Sequence, residues 1–172
     1  MKIVIGIDVG ISTTKIVGIR DGKVIKPLRV KATDPVTSLY GAFGKYLYDN
    51  KIALDDVEHV MITGVGSAYI DKPVYGLPTS RAEEFIADGL GAQYESRLND
   101  MIVVSMGTGT SLVRCKGKDI HHIGGIGIGG GTLSGLSRLL LNTDDVKQIA
   151  SLALQGHISH INLLIRDISA KP

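Results

Sequence analysis

The 172-residue sequence predicts an α/β protein in two related lobes, on three observations. The chain opens on a β-branched apolar run, MKIVIGID, that ends in a Gly/Ser/Thr loop. The same unit restarts after Asp100 as MIVVSMGTGTSLVRCKGKDI. Helix-period segments follow the strands in both halves, and strands interleaved with helices are the pattern of an α/β architecture.

Taken in order, residues 1–8 read as a buried strand, and VGISTT as the loop after it. KIVGIR is a second strand, Asp21-Gly22 a tight hairpin signal, and KVIKPLRVKA the returning third strand. Pro35–Asp49 reads as a helix with Asp34 at its N-cap and proline at its first position. Its apolar residues Leu39, Phe43, Tyr46 and Leu47 fall on one face. A strand over Glu58–Thr63 and a turn at Gly64-Val65-Gly66 come next. A second helix is expected over Ser80–Leu98, with Ser80 as N-cap and Glu83 as its capping-box partner.

In the restarted unit, Asp8 and Gly10 lie opposite Gly107 and Gly109 at a constant offset, and Asp21-Gly22-Lys23 answers Lys116-Gly117-Lys118. This is an internal duplication of a strand–loop–strand unit, with lobes expected at 1–99 and 100–172. Six glycines in eight residues (Gly124, Gly125, Gly127, Gly129, Gly130, Gly131) then run into Thr132 and an apolar helix pattern. Linkers mix serine with glycine and do not interleave isoleucine. Glycine backbone at a helix start suits an anion, because amides and helix dipole both favour negative charge. The stretch reads as a phosphate cradle. Helices are expected over Leu133–Leu141 and Asp144–Leu154, the latter capped by Thr143, and a last strand over Ile158–Ile168.

Composition narrows the function classes. With 19 basic and 17 acidic residues dispersed along the chain, there is no basic stripe for nucleic acid. The single cysteine, Cys115, excludes an intramolecular disulfide and makes a core residue of itself. No apolar run nears the roughly 20 residues that span a bilayer, and the start lacks the shape of a signal peptide. The expectation is a soluble, cytoplasmic protein without membrane or nucleic-acid partners.

The candidate chemistry lies in the loops. Asp8 at a strand end can hold Mg²⁺ through water, since that ion binds through few carboxylates plus substrate phosphates. Gly10, Ser12 and Thr13 offer amides and hydroxyls to phosphate oxygens, and Lys15 offers charge. No Walker A loop is present. Gly107, Thr108, Gly109, Thr110 and Ser111 form a second hydroxyl-rich loop, and two such loops can grip a polyphosphate between them. Phosphoryl transfer needs a carboxylate near the acceptor hydroxyl; Glu84 has that role, sharing a helix face with Asp88 and with Gly91, where another backbone is expected to approach. Adjacent residues on a strand face opposite ways, so His121 is assigned to solvent and His122 to the cleft.

These residues resemble the acetate-kinase, sugar-kinase, heat-shock-chaperone and actin superfamily, and within it the chain is similar to the type II (eukaryotic-type) pantothenate kinases. The carrying motifs are IGIDVGISTTKI, EEFIADGLGAQY, VSMGTGTSL and IGGIGIGGGTLSGLSRLL, in family order. The resemblance implies a ribonuclease H-like (actin-like ATPase) fold with a complete first lobe and a second lobe incomplete at its C-terminal side. It implies ATP and Mg²⁺ as cofactors, a homodimer, and phosphorylation of pantothenate to 4'-phosphopantothenate, the first step of coenzyme A biosynthesis. It assigns catalysis to Glu84, substrate contacts to Thr108 and Ser111, and the first phosphate loop to Asp8, Gly10, Ser12 and Lys15. His122 stands where the family carries an arginine for the pantothenate carboxylate; it is a shorter, titratable cation, which widens the acceptor class to related hydroxy acids. Two other readings are a nucleotide-binding regulatory module without turnover and the ATPase activator of a radical dehydratase.

Overall fold

The computed structural model describes residues 2–169. Five strands, β1 (Ile3–Val9), β2 (Thr13–Arg20), β3 (Lys23–Lys31), β4 (Val57–Thr63) and β5 (Thr79–Arg81), form one sheet in the order β3-β2-β1-β4-β5. β1 runs antiparallel to β2 and parallel to β4, and β5 is parallel to β4. The Asp21-Gly22 hairpin forms as expected, both residues at positive φ (51° and 71°). Pro27 lies on the edge strand β3 beside an irregularity in its pairing with β2, a place where a missing N–H is tolerated.

Helix α1 (Pro35–Asn50) covers one face of this sheet. Asp34 accepts the N–H of Thr37 at 2.7 Å, and the helix closes on Lys51 in the left-handed conformation. Ile3, Ile5, Ile7, Val9, Ile16, Val60 and Ile62 meet Leu39, Phe43 and Tyr46 in a fully buried core. Within it the Gly18 amide donates to the Tyr46 hydroxyl at 2.7 Å. Burial pushes the Tyr46 phenol up, partly offset by that hydrogen bond.

The second sheet is a meander of β6 (Asp100–Met106), β7 (Thr110–Lys116) and β8 (Asp119–Ile126). Its core of Val113, Cys115 and Ile120 is closed by Phe85 and Ile86 of α2 (Glu84–Ser96), and Cys115 is the small core residue expected. So α2, although it precedes residue 100, packs as the layer on the second sheet. Gly89 permits this: a Cβ there would stand 2.5 Å from Ile120 Cγ2 and 3.0 Å from Cys115 Sγ. At Gly91, where a backbone approach was expected, an added Cβ meets nothing within 4 Å.

Several expected elements change. Ser80 caps no helix: Thr79, Ser80 and Arg81 pair with Val60, Met61 and Ile62 as the edge strand, and α2 starts at Glu84 without a side-chain cap. Thr143 gives way to Asp145 as the cap of α4 (Val146–Gln155), because the carboxylate accepts the N–H groups of both Lys147 and Gln148. Helix α3 (Gly130–Leu141) begins three residues before the expected start, inside the glycine run. The strand expected over Ile158–Ile168 is instead a single 3-10 turn at Ile158–His160 and a short helix, α5 (Ile165–Ile168). Ile158, Ile161, Ile165 and Ile168 recur at three and four residues, a helical rather than a strand period.

Tyr46→Phe leaves the buried Gly18 amide unsatisfied and lowers unfolding free energy by about 1–3 kcal/mol in urea titration. Gly91→Ala raises stability by about 0.5–1 kcal/mol through helix propensity, whereas Gly89→Ala loses stability because overpacking of about 1–3 kcal/mol exceeds that gain.

Candidate functional site

Alternation along β1, β2 and β4 sends Ile7, Val9, Ile16 and Ile62 into the α1 core and leaves Asp8, Lys15 and Thr63 on the opposite face. Asp8 is paired in register with Lys15 on one side and with Thr63 on the other. The Lys15 ammonium donates to Asp8 Oδ2 at 2.7 Å. Gly64, with φ at +86°, follows Thr63; a Cβ there would lie 2.4 Å from Asp8 Oδ1 and 2.7 Å from the Val9 carbonyl. Only glycine fits where the carboxylate and the β1 backbone come so close.

The loop between β1 and β2 is closed on itself. The Gly10 amide donates to the Thr13 carbonyl at 3.0 Å, and the Ser12 carbonyl accepts the Ala32 amide at 2.9 Å. With the Gly10 amide engaged, the hydroxyl groups of Ser12 and Thr13 and the ammonium of Lys15 are side-chain groups the loop can offer an anion.

Glu84 opens α2 beside this pair. Burial of its carboxyl pushes it up, the charges of Asp8, Asp88 and Glu83 push the same way, and Lys15 opposes them. The next residue, Phe85, turns to the second sheet and stacks on His122 with ring centroids 4.2 Å apart and planes 14° from parallel. His121 faces away, 3.4 Å from an oxygen of Asp119. The first turn of α2 thus joins the Asp8–Lys15 pair to the Phe85–His122 stack.

The duplication carries over with a changed register. β1 hands over to β2 at Val9–Thr14, and β6 to β7 at Met106–Thr110, so the second loop is one residue shorter. The pair equivalent to Asp8–Lys15 is Ser105–Ser111, so Asp8 answers Ser105 rather than Gly107. Ser105 and Ser111 share the α2-facing side of the sheet with Val113 and His122.

The glycine cradle is engaged within the protein. Gly130 and Gly131 donate their amides to the carbonyls of Gly107 and Thr108, at 2.8 and 3.1 Å. The Gly129 amide meets the Thr132 hydroxyl at 3.4 Å. Cβ atoms at 129 and 131 would stand 2.6 Å from Gly109 and 2.7 Å from the Thr108 side chain. The glycines bolt the start of α3 to the 107–109 loop, so the amides of Gly129, Gly130 and Gly131, expected from the sequence to face a phosphate, have partners within the protein. At Gly107, by contrast, an added Cβ meets nothing, and Thr108 is exposed at the loop tip. Among the described residues no hydrogen bond joins the 10–13 loop to the 107–109 loop.

Sequence reasoning missed three contributors: Phe85, Thr63 and Gly64. The signal for the last two was present, since Thr63-Gly64-Val65-Gly66 ends β4 as Asp8-Val9-Gly10 ends β1.

A family model named Fumble matches residues 79–171. A type II pantothenate kinase of Staphylococcus epidermidis is 30% identical over 172 residues, which take in 95% of this chain and 59% of that protein. One from Staphylococcus aureus is 33% identical over 170 residues with the same coverage. The chain thus spans less than two thirds of the length of these relatives. Solved structures that share the fold include a dehydratase component and a dehydratase activator. Component A of the Acidaminococcus fermentans (R)-2-hydroxyglutaryl-CoA dehydratase gives a TM-score of 0.73 at 16% identity, over 91% of this chain and 60% of that one. The activator of the Clostridium difficile 2-hydroxyisocaproyl-CoA dehydratase, solved with bound ADPNP, gives 0.69 at 15%, over 96% and 69%. These likenesses identify the ribonuclease H-like, actin-like ATPase fold.

The raised Glu84 carboxyl sets a pH dependence. The folded protein holds this proton more tightly than the unfolded chain, so its contribution is full below the ordinary carboxylate range and is lost as pH rises through the raised value. Glu84→Gln is therefore more stable than the parent at about pH 7, and the difference closes toward about pH 4 in paired thermal melts.

Proposed function

This chain belongs to the Fumble family, and from that premise we propose that it transfers the γ-phosphoryl group of ATP to pantothenate or a closely related hydroxy acid. The observation that carries this reading is the first turn of α2, which sets a carboxyl pushed upward in pKa between a charged strand-end pair and a stacked imidazole. The names of the staphylococcal relatives support the same acceptor.

Lys15 leaves Asp8 for the phosphates, and the Ser12, Thr13 and Thr108 hydroxyls donate to phosphate oxygens. Gly107 leaves space for the polyphosphate to approach the second loop; Gly109 shapes that loop, and Gly10, Gly129, Gly130 and Gly131 have amides already engaged within the protein. One carboxylate, Asp8, with no acidic or histidine cluster among the described residues, fits an ion held mainly by water and phosphate. Bound there, Mg²⁺ supplies neutralisation of the charge that develops on the transferred group. Glu84 orients the acceptor hydroxyl and takes its proton, a task for which a raised carboxyl pKa is suited. Ser111 and His122 hold the rest of the acceptor, the His122 ring facing its carboxylate. Catalysis on this plan is positioning plus electrostatics. The enzyme works in the cytoplasm as a homodimer, with no nucleic-acid or membrane partner; among the described residues no helix is long and apolar enough to cross a membrane.

A second reading, nucleotide binding without turnover, draws on the engaged amides of Gly130 and Gly131. Release of ADP from ATP and Mg²⁺ distinguishes the two: kinase activity makes it depend on added pantothenate, and acceptor-independent binding alone selects the regulatory module. Glu84→Ala is expected to lower acceptor-dependent turnover by about 10²-fold or more while calorimetry still detects ATP. Unchanged turnover in that variant removes Glu84 from catalysis.

A further inference from the structure

We infer that Thr63 is a positioning residue for Asp8, and that the turn at 63–66 is a working part of the magnesium–phosphate site rather than a connection behind it. The inference rests on the nucleotide reading above. Three observations on the free protein lead to it. Thr63 and Asp8 occupy the same rung of the parallel β1–β4 pair, with side chains on the face that also carries Lys15. The Thr63 hydroxyl is buried and has no hydrogen-bond partner among the described residues. Gly64 leaves open the space into which Asp8 Oδ1 projects, on the side of β4.

A buried hydroxyl without a partner is unfavourable, and valine has the same shape without that penalty. The Thr14 hydroxyl is also buried and unpartnered, but it points into the α1 core, away from the site. Thr63 stands beside the one carboxylate of the strand-end pair. Among the described residues Asp8 accepts a side-chain hydrogen bond from Lys15 alone. When phosphate draws Lys15 away, the carboxylate loses that donor and is free to rotate. Rotation can bring a carboxylate oxygen toward the Thr63 hydroxyl, whose O–H then turns about its C–O bond to donate to it. The hydroxyl then holds the carboxylate in the rotamer that presents its other oxygen to the hydrated ion. Gly64 admits this arrangement because nothing larger fits against Oδ1.

The test compares Thr63→Val, which removes the hydroxyl, and Thr63→Ser, which keeps it, by calorimetric titration of the non-hydrolysable analogue AMPPNP with and without Mg²⁺. Thr63→Val is expected to weaken binding of the magnesium complex by about fivefold or more. Its magnesium-free binding should match the parent, and Thr63→Ser should recover the magnesium complex to within about twofold. Parent-like affinity of Thr63→Val for the magnesium complex overturns the inference while leaving the nucleotide reading intact. Equal weakening of both forms, or failure of serine to rescue, also overturns it by showing a merely structural role. If the parent protein binds AMPPNP in neither form, the nucleotide reading fails first and this inference falls with it.

Discussion

Helix α2 can lie against β7 and β8 only because residue 89 has no side chain, and the candidate site depends on that contact. With Ile120 and Cys115 in the space a Cβ would take, the helix axis comes close to the second sheet. Phe85 and Ile86 then reach its core. At the other end the Tyr94 hydroxyl donates to the Gly22 carbonyl in the β2–β3 hairpin, so the same helix is tied to the first sheet. Its N-terminal turn has little freedom left, and that turn carries Glu84. A carboxylate placed at a helix start is ordinarily favoured by the dipole. Here partial burial and the charge of Asp8 act against it, and the molecule accepts a strained ionisation because its packing holds the helix elsewhere.

Several other groups of the site already have partners in the free protein. Lys15 neutralises Asp8, the amides of Gly130 and Gly131 hold the second loop, and the Gly10 amide closes the first. On the proposed reading, a polyphosphate entering this site exchanges partners with Lys15 and meets the Ser12, Thr13 and Thr108 hydroxyls directly. The exchange is easiest where the existing contact is exposed. Asp8–Lys15 is a pair with the lysine half exposed, and such pairs contribute about 0–1 kcal/mol. The glycine bolt at 129–131 involves backbone in close contact and resists exchange. On the proposed reading, side-chain cations and hydroxyls therefore carry more of the anion recognition, and the glycine run more of the shape, than glycine density alone implies.

That division explains what the sequence made legible. Asp34, Pro35 and the spacing of Leu39, Phe43 and Tyr46 specify α1 locally, and it forms as read. The Asp21-Gly22 turn and the strand-end loops are equally local. The misplaced features depend on partners distant in the chain. Ser80 enters a strand because β4 offers an edge, which no residue near 80 announces. The one-residue difference between the two loops appears only through strand register, so sequence alignment set Asp8 against Gly107. The use of the cradle amides was hidden for the same reason, because their acceptors lie some twenty residues earlier. Phe85, read only as part of a motif, acquires its role from a histidine on another element.

The two lobes are unequal supports for the loops they carry. β1 is paired on both sides, and Ile3, Ile5 and Ile7 lie buried beneath α1. β6, its counterpart, is paired on one side, and the corresponding face exposes Ile102 (56%), Val104 (52%) and Met106 (77%). The first loop therefore hangs from a broad core, and the second from Val113, Cys115 and Ile120 with the α2 residues that close them. Local opening is favoured where buried apolar contacts are few. The 107–109 loop sits on that side, bolted by glycine contacts to a helix that itself exposes Leu133, Leu136, Leu139 and Leu140. A ligand that touches both loops would bind the closed form of the second lobe in preference to its opened form, and so stabilise it more than the first. The internal bonds of the cradle serve the same end: they hold the second loop in one shape where the surrounding core is too small to do so alone.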